Sequence, residues 1–314
     1  MKRNRLLALV VLWLLCALAL GGCSAETLGE TGADITIRVV ATRDFGQKLI
    51  FSETLQVPPG TSAMAALEQV AEVETAYGGG FINSINGVGS EHGKDWFVSF
   101  NGISSNVGAL DYTLHDGDVE HWDFHDWGFR MFAPASVGYF PDSFLHGYDG
   151  EVYPTVIACE DGLEDSAQTL QTGLKAYGVA DVTIQSTGDI VELDKQHSNL
   201  VLLGTMDCGL ISELNRVWDR MGFFVHFEGD LMVCYDSRGD TTATYGPGSG
   251  VVQATQSPWN PGGTGVCENV VWVVSGTDEA GVKSAVDALL GRYDEFQYAH
   301  ALITVNNEVI RVPQ

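Results

Sequence analysis

From Tyr153 to the C-terminus the chain repeats one rhythm: a short apolar run, then a stretch whose apolar residues recur every three or four positions. The runs are Thr155–Cys159, Val182–Gln185, Leu200–Gly204, Val270–Val274 and Ala301–Val305. The helical stretches carry Leu163, Ala167, Leu170, Leu174 and Tyr177, then Leu210, Ile211, Leu214, Val217, Trp218 and Met221, then Val282, Ala285, Val286 and Leu289. Thr277 or Asp278 caps the last of these, and Gly291 closes it. Phe223–Phe227 and Leu231–Tyr235 read as a hairpin across Glu228-Gly229-Asp230. Buried strands alternating with amphipathic helices imply an α/β layered domain over residues 154–314.

The first half obeys a different period. Residues 34–57 alternate, with Ile35, Ile37, Val39 and Ala41 on one side, then Leu49, Phe51, Leu55 and Val57 after a turn near Asp44–Gly46. That is a β-hairpin. Pro58-Pro59-Gly60 ends it, and Thr61 or Ser62 caps a helix with Met64, Leu67, Val70 and Ala71, which Gly78-Gly79-Gly80 should terminate. Strands at Phe81–Ile85, Trp96–Asn101 and Val119–Phe124 follow, punctuated by Asn86-Gly87, Asn101-Gly102 and Asp116-Gly117-Asp118. A strand pair, a helix and more strands over residues 34–125 make an α+β unit of domain size, expected to be β-grasp-like.

Three motifs carry a resemblance: Gly79-Gly80-Phe81-Ile82-Asn83-Ser84-Ile85-Asn86-Gly87, Asp95-Trp96-Phe97-Val98-Ser99-Phe100-Asn101-Gly102 and Gly108-Ala109-Leu110-Asp111-Tyr112-Thr113-Leu114-His115-Asp116-Gly117-Asp118. In this order they resemble the C-terminal β-domain of transcobalamin and intrinsic factor, over residues 34–125. The resemblance implies a half-clamp for cobalamin or a related corrinoid. The other half in the animal proteins is an α-barrel, and no long helical repeat is present here to play it. Bacterial proteins with such a domain look like surface lipoproteins that hand corrinoids to importer complexes, although the domain also occurs in surface proteins with other roles. The segments Asn199–Gly204 and Asn269–Ala288 are similar to modules of cell-envelope and S-layer-associated proteins.

The N-terminus fits that setting. Lys2, Arg3 and Arg5 precede an apolar run from Leu6 to Leu20, shorter than the ~20 residues of a spanning helix. Leu20-Gly21-Gly22-Cys23 resembles a bacterial lipobox. Residues 1–22 are therefore expected to be a lipoprotein signal peptide, Cys23 the lipidated residue and 23–33 a short tether. The chain would then be held on the extracytoplasmic face of a membrane. Loss of the leader takes the formal charge from −25 to −28, because Lys2, Arg3 and Arg5 leave with it. So acidic a chain repels phosphate backbones, which excludes nucleic acid as a partner.

Cys159, Cys208, Cys234 and Cys267 remain in the second half. They either form two disulfides, in any of three pairings, or serve as small buried apolar residues. Residues 126–153 join the two domains and carry eight aromatic residues, too many for a solvated linker. They read as an inter-domain packing strap or, more sharply, as a platform for a planar ligand.

Phe81, Trp96, Phe97, Asn101, Tyr112, Trp122 and His125 are the candidate ligand-binding residues. The rings could line an apolar groove, or Trp96, Val98 and Phe100 could simply be the core face of a strand, the reading preferred for at least half of the rings; the resemblance gives the Asn101 amide a corrin side chain to hold. On the strand Val119–Phe124 and its continuation, His121, Asp123 and His125 share a face. His121 and His125 lie ~13 Å apart on a straight strand, too far to share one metal ion, though either could pair with Asp123. An imidazole here could also serve as an axial ligand to a corrinoid cobalt. Gly246–Gly250 and Gly262–Gly265 lack a following Lys-Ser/Thr and read as loop glycines. No nucleophile elbow, zinc-protease helix or Cys/His pair argues for catalysis. Two functions stand: a solute-binding surface lipoprotein for a corrinoid, or a cell-envelope protein binding protein or glycan.

Overall fold

Strand β1 (Ile35–Arg43) turns through Asp44, Phe45 and Gly46, all with positive φ, into β2 (Lys48–Val57), with which it pairs antiparallel. The computed structural model describes residues 32–89 and 91–314. The leader, Cys23 and most of the tether lie outside the described residues. Ser62 caps α1 (Ala63–Val70), its Oγ accepting from Ala65 N at 3.3 Å. The helix then stops short of the expected Gly78. Residues Val73–Ala76 form β3 instead, paired with β4 (Phe81–Ile85), which in turn pairs with β5 (Val88–Gly89). The β-branched Val73 and Thr75 favour this extended course over a third helical turn. β6 (Lys94–Phe100), β7 (Ile103–Ser104) and β8 (Val119–Asp126) complete the half.

Five of these strands form one sheet in the order β2-β1-β8-β6-β7. Its two central strands, β1 and β8, run parallel, with Arg38 opposite Val119 and Arg43 opposite Phe124. Both faces of β1 carry buried residues. Ile37, Val39 and Ala41 face the core under α1, whereas Val40 meets Val119 and Tyr139 on the other side.

The cover on that second side is the aromatic segment. Ser104 N donates to Pro134 O and Ser136 N to Gly102 O, so the segment continues the edge beyond β7. At the next two residues Val137 N donates to His300 O and Gly138 N to Ala299 O, which ties it to the second half. Phe140, just before α2 (Asp142–Leu145), and Phe144 within it pack on Trp272, with ring centroids 5.8 and 5.1 Å away. Tyr139, Phe140, Phe144 and Tyr148 are buried, as a packing strap requires and a ligand platform does not. One continuous cluster of buried apolar residues therefore runs from β1 and α1 through the strap into the second half, and residues 34–314 form one compact unit.

The second half contains β9 (Thr155–Cys159), α3 (Glu164–Ala176), β10 (Val182–Ser186), α4 (Glu192–His197), β11 (Asn199–Thr205), α5 (Gly209–Asn215), β12 (Val225–Glu228), β13 (Leu231–Tyr235), β14 (Thr241–Tyr245), β15 (Gly250–Gln256), β16 (Val270–Gly276), α6 (Glu279–Gly291), α7 (Tyr293–Phe296), β17 (Ala301–Val305) and β18 (Glu308–Val312). Seven strands make a sheet in the order β10-β9-β11-β16-β15-β17-β18. The first four are mutually parallel, and β15, β17 and β18 add antiparallel. Helices α3 and α6 cover one face; α5 and the small β12-β13-β14 sheet cover the other. The whole is a mixed α+β structure with eighteen strands in four sheets among the described residues.

Strand β15 corrects the reading of its glycines. Gly250 is the first residue of a wholly buried strand, and a Cβ there would lie 2.2 Å from Gly281 O at the start of α6. Only glycine allows the helix so near the sheet. Gly46 plays the same part at the first hairpin, where a Cβ would strike the Tyr298 carbonyl.

The disulfide alternative is also corrected. Cys159, Cys208, Cys234 and Cys267 are all free and buried. Cys159 and Cys267 belong to one apolar cluster and Cys208 and Cys234 to the other, where they pack as small apolar side chains.

Because the strap joins both halves through one core, Phe144→Ala should lower the stability of the entire unit by about 3–5 kcal/mol. Scanning calorimetry should show one transition moved down intact. A transition that splits, leaving half the heat at its original temperature, would contradict the shared core.

Candidate functional site

The sheet alternation sorts β8 cleanly. Trp122 and Phe124 point into the α1 core, and His121, Asp123 and His125 point to the strap side. There the Asp123 carboxylate collects donors from three segments. Thr42 on β1 donates to Oδ1 at 2.5 Å, Phe45 N to Oδ2 at 2.9 Å, and Gly46 N to Oδ1 at 3.0 Å. His125 Nδ1–H donates to Oδ2 at 2.6 Å. Since the Thr42 hydroxyl is spent on Asp123, its oxygen accepts from His121 Nε2–H at 2.6 Å, and His121 Nδ1 accepts from Ser99 at 3.3 Å.

Burial raises the Asp123 carboxyl, but the His125 hydrogen bond, the neighbouring imidazoles and Thr42 outweigh it and hold the group well below the usual carboxylate range. Burial pushes His121 down to about 4, against the opposing pull of Asp123. His300, whose Nε2–H donates to Gly222 O at 3.1 Å, is pushed down to about 4 for the same reason. On the opposite face Glu120 is fully buried. Its Oε1 accepts from Trp122 Nε1 at 2.6 Å, and burial raises the carboxyl to about 8. Neutral Glu120 is thus an acid inside the core.

His121, Asp123, His125 and His300 border a cavity of about 60 Å³, lined further by Phe45, Phe97, Ser136 and Tyr298. His125 is held there between Phe45 and Phe97, centroids 4.0 and 4.3 Å away. Such a space holds a few water molecules and no macrocycle. Among the described residues, no three His, Cys, Asp or Glu side chains are grouped to hold a metal ion.

The seven expected ligand residues do not share one groove. Phe97 and His125 meet at the small cavity. Trp96 and Trp122 belong to the α1 core, with Trp96 Nε1 donating to Val88 O. Asn101 is wholly buried in its turn. Its amide donates to Asp118 Oδ1 and Gly147 O and accepts from Val119 N, so nothing is left for a corrin side chain. Phe81 is 42% exposed on the small sheet.

Tyr112 borders a different space, an open cleft of about 380 Å³. Loop residues Asn106, Val107 and Asp111 form one wall, Tyr148, Asp149, Glu151 and Tyr153 of the strap the second, and Val266, Cys267 and Glu268 the third. The Tyr112 and Tyr148 rings meet edge to face at 5.2 Å. Tyr148 bonds Ser105 and Asn106 through its hydroxyl, whereas the Tyr153 hydroxyl has no partner among the described residues. Tyr148 and Tyr153 were visible in the sequence only as members of an aromatic-rich strap. Glu268 carried no signal, and Cys267 only that of a disulfide-bonded or buried cysteine, because their nearness to the first half depends on tertiary packing.

The buried titrations make stability depend on pH in both directions. Folded His121 and His300 refuse protons that the unfolded chain accepts below 6.5, so stability falls as pH drops from 6.5 to about 4. Folded Glu120 keeps a proton that the unfolded chain loses above 4.5, so its contribution declines as pH rises from there to about 8. Each group supplies a slope of at most ~1.4 kcal/mol per pH unit. In urea denaturation across pH 4–9, Glu120→Gln should flatten the alkaline limb and leave the acid limb intact. An unchanged alkaline limb would remove Glu120 from the account.

The comparisons with known proteins concern the first half. A family model described as a domain of unknown function, DUF4430, matches residues 60–126. Haptocorrin in complex with Cbi is similar in structure over 29% of this chain, at 14% identity and a TM-score of 0.26; the chain spans 25% of haptocorrin. A candidate metal-binding protein from Ruminococcus gnavus is similar over 29% of this chain and 97% of its own, at 15% identity and a TM-score of 0.24. No curated protein matches. The matched region contributes Asn106, Val107, Asp111 and Tyr112 to the cleft, and the other two walls come from outside it.

Proposed function

We propose that the protein is a surface lipoprotein, anchored through Cys23, that binds a corrinoid and passes it to an importer complex. The observation that carries the reading is the open cleft of about 380 Å³, a size typical of small-ligand sites, walled by Tyr112, Tyr148 and Tyr153. Two features support it. We read the strand order β2-β1-β8-β6-β7, with β1 and β8 parallel, as β-grasp-like, in keeping with the sequence resemblance to the transcobalamin domain. The second half, which we read as an α/β layered domain, supplies the cleft's third wall in place of an α-barrel. A corrin ring is larger than the cleft, so one edge enters while the rest lies along the rim. Ligand contact thereby passes from Trp96, Trp122 and Asn101 to Tyr153. No catalytic group is assigned a role.

The full chain mixed with hydroxocobalamin or cobinamide should retain the corrinoid on gel filtration and shift its visible spectrum. Tyr153→Ala should weaken retention by about tenfold or more, ~1.4 kcal/mol, with the circular dichroism of the parent. Cells fed labelled fatty acid should label the parent and not Cys23→Ser. Failure to retain any corrinoid would favour the second reading, an envelope interaction protein, for which the exposed Met131 and Phe132 are the relevant surface.

A further inference from the structure

The cavity of about 60 Å³ between the first sheet and the strap is bordered by polar groups whose hydrogen bonds can be followed one by one. Asp123 is filled by Thr42, two backbone amides and His125. Both ring nitrogens of His121 are taken, by Thr42 and Ser99. Among the described residues, no partner meets the hydroxyls of Ser104, Ser136 and Tyr298, nor one nitrogen each of His125 and His300.

The two histidines are 7% and 5% exposed. His125 gives its Nδ1–H to Asp123, and His300 gives its Nε2–H to Gly222 O. A neutral imidazole that donates from one nitrogen accepts at the other. His125 Nε2 and His300 Nδ1 are therefore acceptors in want of a donor. Burial keeps His300 uncharged at neutral pH. Both rings lie against Phe45, with centroids 4.0 and 6.1 Å from it, and Phe97 holds the far face of His125. An acceptor left unmet in so buried a place is costly, and a ligand that brings the donor recovers that loss.

The remaining lining selects the rest of the ligand. No Lys or Arg borders the cavity, and its one carboxylate is already matched, so a charged guest would give up its water for little return. Val98, Ala133 and Ala135 offer only apolar contact. Tyr298 offers an O–H. Two acceptors, one donor and a small apolar remainder are the complement of an uncharged –CONH₂ group. We propose that this cavity binds a small molecule ending in a primary carboxamide, its N–H groups taken by His125 and His300 and its oxygen by Tyr298. The space admits about four water-sized groups, the bulk of acetamide. Phe45 also borders the open cleft of Lys48, Lys94 and Arg238, so one side chain stands between the site and that cleft. The site shares no residue with the cleft at Tyr153 and does not depend on what binds there.

The test compares acetamide with acetone on the full chain, above the pH range in which imidazoles ordinarily titrate. Acetone has the same shape and carbonyl but no N–H. Acetamide should bind about tenfold more tightly, the margin that one or two hydrogen bonds supply. In nitrogen-15 spectra His125 Nε2 and His300 Nδ1 should shift with acetamide and stay still with acetone. Tyr298→Phe removes a hydroxyl that no described residue uses, so the fold should persist, and acetamide should bind about threefold or more weakly. Equal affinity for the two molecules would overturn the assignment. So would acetamide binding that leaves both ring nitrogens unmoved, or no binding of acetamide at all.

Discussion

A buried carboxylate ties the first sheet together. Asp123 takes hydrogen bonds from Thr42 on the neighbouring strand, from two backbone amides in the first hairpin turn and from His125 on its own strand. An ionised group out of water is tolerable only when its lone pairs are met, and here they are. The arrangement fixes more than charge. It sets the register of β1 against β8, holds the Asp44–Gly46 turn so that Gly46 lies against Tyr298, and orients His125 between two phenylalanine rings.

That network sits where the two halves of the chain meet, and its burial depends on the strap. Residues 133–139 hydrogen-bond to the first sheet on one side and to residues 298–300 on the other. Without this cover the imidazoles of His121 and His300 would be hydrated and would titrate ordinarily. The strap therefore has two roles: its early residues close the polar side of the sheet, and its later tyrosines wall the open cleft.

Much of the fold was legible because periodicity reports burial. The hairpin, the helix after Ser62, the strands from β9 to β11 and the helix capped by Asp278 all follow from it. Strand β15 was missed because glycine, glutamine and threonine interrupt its apolar run, although every residue in it is buried. The helix expected to reach Gly78 was overruled by pairing between β3 and β4. For the site, alternation correctly put His121, Asp123 and His125 on one face. It could not say that the face would be sealed by a segment from elsewhere. Trp96 and Trp122 drew attention as aromatic residues in a ligand-binding pattern, yet rings that large most often fill cores.

The parallel pairing of β1 with β8 has a further consequence for a chain that emerges N-terminus first. Arg38 meets its partner Val119 only after everything between them has appeared. Until then the first hairpin lacks its inner neighbour and has half its backbone groups unclaimed. The first sheet therefore closes only when β8, the last of its strands, has arrived.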